Sequence, residues 1–161
     1  MKLTVGQLRE VLRLSEDAFR HWKQVLPPMS GRNGYRPCFT FGDLLALAVV
    51  KELCDGSGVQ VGALRPVVNA LFAACNNSPW PKLESCLFVI RLERQELVTA
   101  SELQSPRFED VTLVVPCRPI IIKLRDRLLA EHQPGVQGLL MFPPTAVSRR
   151  GRARSVGRKR S

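Results

Sequence analysis

Residues Thr4 to Arg36, TVGQLREVLRLSEDAFRHWKQVLPPMSGRNGYR, decide how the rest of this chain is read. Thr4 with Gln7 three positions on has the spacing of a capping box. Val5, Leu8, Val11 and Leu12 follow at helical intervals, which predicts a short amphipathic helix ending near Arg13. Ser15 then stands as the N-cap of a second helix, with Glu16 and Asp17 complementing the dipole of its first turn. Phe19, Trp22 and Leu26 fall on an inner side while Arg20, Lys23 and Gln24 point elsewhere. Pro27 and Pro28 stop it. Two short helices joined by a tight turn predict a helix-turn-helix. Asn33-Gly34, the dipeptide favoured where a hairpin needs positive φ, adds a turn flanked by Arg32, Tyr35 and Arg36. A basic hairpin beside such a helix pair can lay cations and a tyrosine hydroxyl on phosphates while the second helix enters a groove. The plainer alternative is a helical hairpin with a solvated loop.

From Leu3 to about Phe72 the chain resembles the DNA-binding domain of the MerR family of bacterial regulators, named for the mercury-resistance regulator. Leu14-Ser15 followed by Phe19-Arg20-His21-Trp22 sits where that family has a hydrophobe and serine, then Leu-Arg-Tyr-Tyr or Leu-Arg-Tyr-Trp. Leu26-Pro27-Pro28 matches its LPP, and Asn33-Gly34-Tyr35-Arg36 its NGYR wing. The resemblance implies a winged helix-turn-helix, dimeric binding to a palindromic DNA site, and contacts from the positions of Arg20, Tyr35 and Arg36. It covers somewhat under half of the chain. Ala18 departs from the family's usual threonine, His21 from its tyrosine, and Pro37-Cys38-Phe39 makes the wing exit one residue longer. Glu16 and Asp17 place two carboxylates at the mouth of the reading helix, where they face phosphate repulsion unless they cap the helix or accept from a cytosine amino group. Sequence preference is expected to differ from that of familiar members.

At 161 residues and 45% hydrophobic content the chain has room for a globular domain and an appendage. No run approaches the length of a membrane span, and Arg9, Glu10 and Arg13 interrupt the start, so no secretory signal is read and a cytoplasmic protein is expected. The net charge of +10 is unevenly placed. Lys and Arg stand against Asp and Glu as nine to six over residues 1–75, eight to eight over 76–145, and seven to none over 146–161. Attraction to nucleic acid through bulk charge therefore belongs mainly to the terminus. Five cysteines, Cys38, Cys54, Cys75, Cys86 and Cys117, show no CxxC pair and no neighbouring histidine, which argues against a disulfide framework and a zinc site. No metal and no cofactor are expected. The family's metal and redox sensors carry clustered cysteines after the DNA-binding domain, and this chain has no such cluster.

Beyond the predicted wing, Thr40 with Asp43 opens an apolar helix that Asp55-Gly56-Ser57-Gly58 ends. Another carries Leu64, Val67, Val68, Leu71 and Phe72 inward, with Pro66 either beginning or kinking it. The breaker cluster Asn76-Asn77-Ser78-Pro79-Trp80-Pro81 marks a boundary, giving a DNA-binding domain over 1–75 and a linker over 76–85. Cys86–Leu92, Glu96–Ala100 and Val111–Val115 read as three strands, too small a sheet to stand alone. A helix from about Pro119 to His132 completes a small α+β dimerisation or accessory domain over 86–132. Ile121, Leu124 and Leu128, at near-heptad spacing, form either a seam with a second copy or a cover for the sheet.

Residues 133–147 read as an apolar linker or docking arm with Leu139, Leu140, Met141 and Phe142. The last segment, 148–161, reads as a disordered basic tail in which Arg149, Arg150, Arg152, Arg154, Arg158, Lys159 and Arg160 suit nonspecific contact with a nucleic-acid backbone. The chain has only two histidines, His21 and His132, neither in a catalytic arrangement. Gly56-Ser57-Gly58 lacks the lysine and third glycine of a phosphate loop, and Glu109-Asp110 has nothing nearby to tune it. No enzyme is expected.

These elements predict a mainly α, α+β protein: an N-terminal winged helix-turn-helix, a small three-stranded sheet with a helix, and a basic tail. The function expected is a homodimeric, sequence-specific regulator of transcription bound to double-stranded DNA, with no membrane partner. Arg20 and Arg36 are expected to neutralise phosphates and Tyr35 to bond one. His21, Glu16 and Asp17 approach base edges, with Lys23 and Arg32 completing the contact set. Two rivals remain open: an excisionase-like architectural DNA-binding factor, and a protein-interaction adaptor whose helix-turn-helix no longer binds DNA.

Overall fold

The computed structural model describes residues 2–32, 36–101 and 111–132. Tyr35, the apolar run Leu139–Phe142 and all seven cations of residues 149–160 lie outside the described residues. The described part is mainly helical with a small three-stranded antiparallel sheet, as the sequence pattern predicts.

Helix α1 (Val5–Leu12) starts on the expected capping box. The Gln7 N–H donates to Thr4 Oγ1 at 3.2 Å and the Thr4 N–H donates to Gln7 Oε1 at 3.0 Å, so two end-of-helix donors are satisfied reciprocally. It stops at Arg13, whose left-handed backbone (φ 52°, ψ 49°) turns the chain sharply. Helix α2 (Glu16–Val25) begins on Ser15, whose hydroxyl accepts from the Ala18 N–H, and ends before the 3-10 turn Pro27–Met29.

Helix α3 (Phe41–Ser57) is the axis of the molecule. Every residue from Gly42 to Val50 is buried, and so is Leu53, because α1, α4 and α6 pack around it. Thr40 and Asp43 form the predicted capping box, and Gly58 closes the helix at φ 66°. After a 3-10 turn, Val61–Leu64, helix α4 (Arg65–Asn77) carries Pro66 in its first turn, so the proline begins this helix and does not kink it. Residues 76–85, expected as a linker, hold the end of α4 and the short helix α5 (Trp80–Leu83), whose Leu83 joins the core.

The sheet has the order β2-β1-β3, from β1 (Cys86–Arg91), β2 (Glu96–Ser101) and β3 (Leu113–Pro116). Phe88 stands opposite Thr99 and Val115, and Ile90 opposite Leu97 and Leu113, with Phe88, Ile90 and Val115 turned into the core. The third strand begins at Leu113, two residues later than expected, and Val111 is exposed. The expectation that so small a sheet needs support holds: α4 meets β2, while α5 and α6 meet β1.

Helix α6 (Cys117–His132) starts two residues before Pro119. Of the two readings of its stripe, a seam with a second copy or a cover for the sheet, the packing within the chain is that of a cover. Ile121 and Leu124 are fully buried in the protein's own core and Leu128 packs against it, because the helix covers α1, α3 and β1. Ile121 and Leu124 therefore leave no exposed surface for a second copy, while Leu128 is half-buried. Ile122 and Leu129 are the large α6 hydrophobes left outside among the described residues. Polar ties reinforce the packing: Arg127 Nη1 donates to the Val11 carbonyl at 2.8 Å, Lys123 Nζ lies 3.4 Å from Glu52, and Arg125 pairs with Glu84. Leu3, Leu8 and Phe39 at one end and Phe88 and Ile121 at the other belong to a single continuous hydrophobic cluster. Among the described residues, no helix is long and apolar enough to cross a membrane.

Candidate nucleic-acid interface

Helix α2 is amphipathic in the sense the sequence predicts. Phe19 and Trp22 are buried and fix the helix, while Glu16, Asp17, Arg20, His21 and Gln24 stand in solvent and Lys23 is half-buried. Phe19 meets Phe39 edge-to-face, with ring centroids 6.3 Å apart at 76°. Phe39 in turn pairs with the chain start, its carbonyl accepting from the Leu3 N–H at 2.7 Å. These two contacts hold the chain just after Arg36 beside α2.

The cations expected to grip phosphate have distinct circumstances. Arg20 spans the first turn of its own helix, Nη2 lying 3.5 Å from Glu16 and Nη1 3.8 Å from Asp17, and Arg9 reaches Glu16 at 3.7 Å. All of these groups except Arg9 are mostly exposed, Asp17 at 94%, so the pairs contribute little and exchange readily for another anion. Glu16 and Asp17 therefore partner this cation in addition to standing at the helix mouth. Arg36 is exposed.

Arg32 departs from expectation. Its guanidinium pairs inward with Asp43, sits 5.2 Å from the centre of the Phe39 ring, and donates to the Cys38 carbonyl at 3.4 Å. Asp43 is the one buried charged side chain among the described residues. Its carboxylate also accepts from the Thr40 N–H at 2.9 Å and from Asn76 Nδ2 at 3.0 Å. Burial pushes the Asp43 carboxyl up, but Arg32, the Thr40 N–H and the Asn76 amide outweigh that and hold it below the ordinary carboxylate value. Asn76 completes the cluster, accepting from the Thr40 hydroxyl at 2.6 Å and donating to the Phe72 carbonyl at 2.9 Å.

Sequence reasoning found Asp43 only as a helix cap and missed Asn76. A signal was present for the first: an acid inside an otherwise apolar helix requires a cation, and Arg32, expected in the DNA contact set, is the one that supplies it. Nothing in the spacing of Asn76, 33 residues further on, announces it.

A cleft of about 200 Å³ lies between α1, α3 and α6, with Leu12, Ala48, Ile120 and Leu124 on its floor. Its rim carries the pairs Lys51–Asp55 and Lys123–Glu52 together with Arg13 and Arg127, and it contains no histidine, cysteine or serine. Among the described residues no group of three or more His, Cys, Asp or Glu is placed to hold a metal ion. No protein-family model matches the chain, and a search among curated proteins finds no match.

Proposed function

We propose that this chain is a MerR-like regulator of transcription that binds double-stranded DNA sequence-specifically as a homodimer, through a winged helix-turn-helix built on α1, α2 and the segment around Arg36. The observation that carries this reading is the outer face of α2. It presents Arg20, His21 and Gln24 to solvent on a helix whose opposite side is anchored by Phe19 and Trp22, with exposed Arg36 three residues before Phe39, which meets Phe19 edge-to-face. A rigid helix with a polar, hydrogen-bonding exterior can enter a major groove, and flanking arginines can fix its register on the backbone. Arg20 exchanges Glu16 and Asp17 for phosphate when DNA arrives. His21 and Gln24 have donors and acceptors for base edges. The seven cations of residues 149–160 add nonspecific grip.

The acid pair supports a second reading. With Glu16 and Asp17 neutralising Arg20, the start of α2 has little net positive charge, which suits a protein-interaction adaptor better than a DNA reader. Titration of duplex DNA with protein ending near Val147 separates the two. A regulator retains salt-sensitive binding without its tail and loses affinity on Arg36→Ala. An adaptor shows no residual binding even at low salt. Sedimentation of the full chain tests the homodimer, and a monomer at all concentrations removes it.

A further inference from the structure

Arg32, Asp43 and Asn76 lie on three separate parts of the chain: the exit from the Pro27–Met29 turn, the first turn of α3, and the last turn of α4. One carboxylate joins them. Asp43 is 2% exposed and receives donors from Arg32, Thr40 and Asn76, so the cluster sits in a low-dielectric setting where such bonds are strong and their geometry is restrictive. The Arg32 guanidinium also reaches forward over the chain to the Cys38 carbonyl and lies against Phe39. It thereby ties residue 32 to residue 38 and both to α3. Arg36 lies within the span so tied and has no such anchor of its own among the described residues.

We infer that Arg32 is a positioning residue: it does not meet phosphate, and its clamp on Asp43, Cys38 and Phe39 sets where Arg36 stands relative to α2. This rests on the DNA-binding reading above, and it moves one cation from the contact set to the frame. Three features favour the frame. The guanidinium is only 29% exposed, its strongest partner is a buried carboxylate, and one of its faces is covered by an aromatic ring. Turning it toward DNA would leave the Asp43 charge buried without a cation, a costly state for the fold.

The salt dependence of binding distinguishes the roles. A residue that neutralises one phosphate contributes about 0.9 to the slope of log K against log salt, whereas a residue that only holds another in place changes affinity with little change of slope. The full chain is titrated against a fluorescent mixed-sequence duplex between about 50 and 200 mM salt, with Arg36→Gln, Arg32→Gln, Asp43→Asn and the double variant Arg32→Gln/Asp43→Asn. Circular dichroism of each variant confirms folding before titration. Arg36→Gln is expected to lower the slope by about 0.9. Arg32→Gln and Asp43→Asn each weaken binding several-fold at an unchanged slope, and the double variant, in which two neutral amides face each other, recovers much of the loss. A slope lowered by Arg32→Gln, or binding unchanged or strengthened by Asp43→Asn because Arg32 is released to reach DNA, overturns the inference and leaves the DNA-binding reading standing. Wild-type protein without salt-sensitive binding overturns both.

Discussion

Gly42 tests the packing beneath the proposed interface, because helix propensity and geometry predict opposite signs for the same substitution. It is the second residue of α3, and an alanine in a helix is ordinarily up to about 1 kcal/mol better than a glycine. A Cβ at Gly42, however, lies 2.5 Å from Asn76 Oδ1, 2.7 Å from its Cγ and 2.8 Å from its Cα. The side-chain atoms can swing away only by abandoning Thr40 and Asp43, and the Cα moves only if the end of α4 moves with it. Forcing an extra methyl into a filled contact costs roughly 1–3 kcal/mol. Gly42→Ala is therefore expected to lower stability by up to about 2 kcal/mol after the propensity gain. Gly56→Ala in the same helix is the control. Its Cβ meets nothing closer than Glu52 Oε1 at 4.0 Å, so it should gain about 0.4–1 kcal/mol. Urea denaturation followed by far-UV circular dichroism measures both. A Gly42→Ala midpoint at or above wild type refutes the close approach of α3 and α4.

Three further outcomes follow from the same geometry. Because the Asp43 carboxyl is held below its ordinary value of 3.8, its contribution to stability is complete above that pH and is lost as pH falls through the lower folded value. Urea midpoints measured from pH 7 to 3 should thus show an acid limb that is shallower in Asp43→Asn. Leu124→Ala, which empties a fully buried position of α6, should cost about 2–5 kcal/mol, while Leu129→Ala at a 66% exposed position should stay within about 0.5 kcal/mol; equal effects would return Leu124 to a dimer seam. Cys75 and Cys117 are buried, and desolvation pushes the Cys75 thiol well up, so both should resist iodoacetamide in native protein and react once urea is added, as read by mass spectrometry.

Local signals made most of the helices and all three strands legible. Thr4 with Gln7, Ser15, and Thr40 with Asp43 each cap the helix they were expected to open, because a capping bond joins residues only three apart. The strands likewise announced themselves through apolar runs set off by polar turns. What local signals leave open depends on partners far away in sequence. Ile121, Leu124 and Leu128 have the spacing of a pairing seam, and the same spacing serves a helix laid over its own core. Only the positions of α1, α3 and β1 choose between them. The residues 76–85 look like a break because Pro79 and Pro81 stop regular structure locally, yet Leu83 and Trp80 pack into or against the core.

The candidate site divides along the same line. Which residues of α2 face water follows from period and was readable; what each exposed cation is paired with was not. Arg20 and Arg32 look equivalent as letters, both arginines beside a predicted groove-reading element. Arg20 meets carboxylates that are themselves in water, and that pairing is weak enough to be exchanged. Arg32 meets a carboxylate that is 2% exposed, so releasing it means stranding a charge in the interior. Burial of the partner, not exposure of the arginine, therefore separates a cation free to bind phosphate from one bound to the fold. On the proposed DNA-binding reading, that difference assigns phosphate contact to Arg20 and Arg36 among the arginines expected near α2, and the supporting role to Arg32.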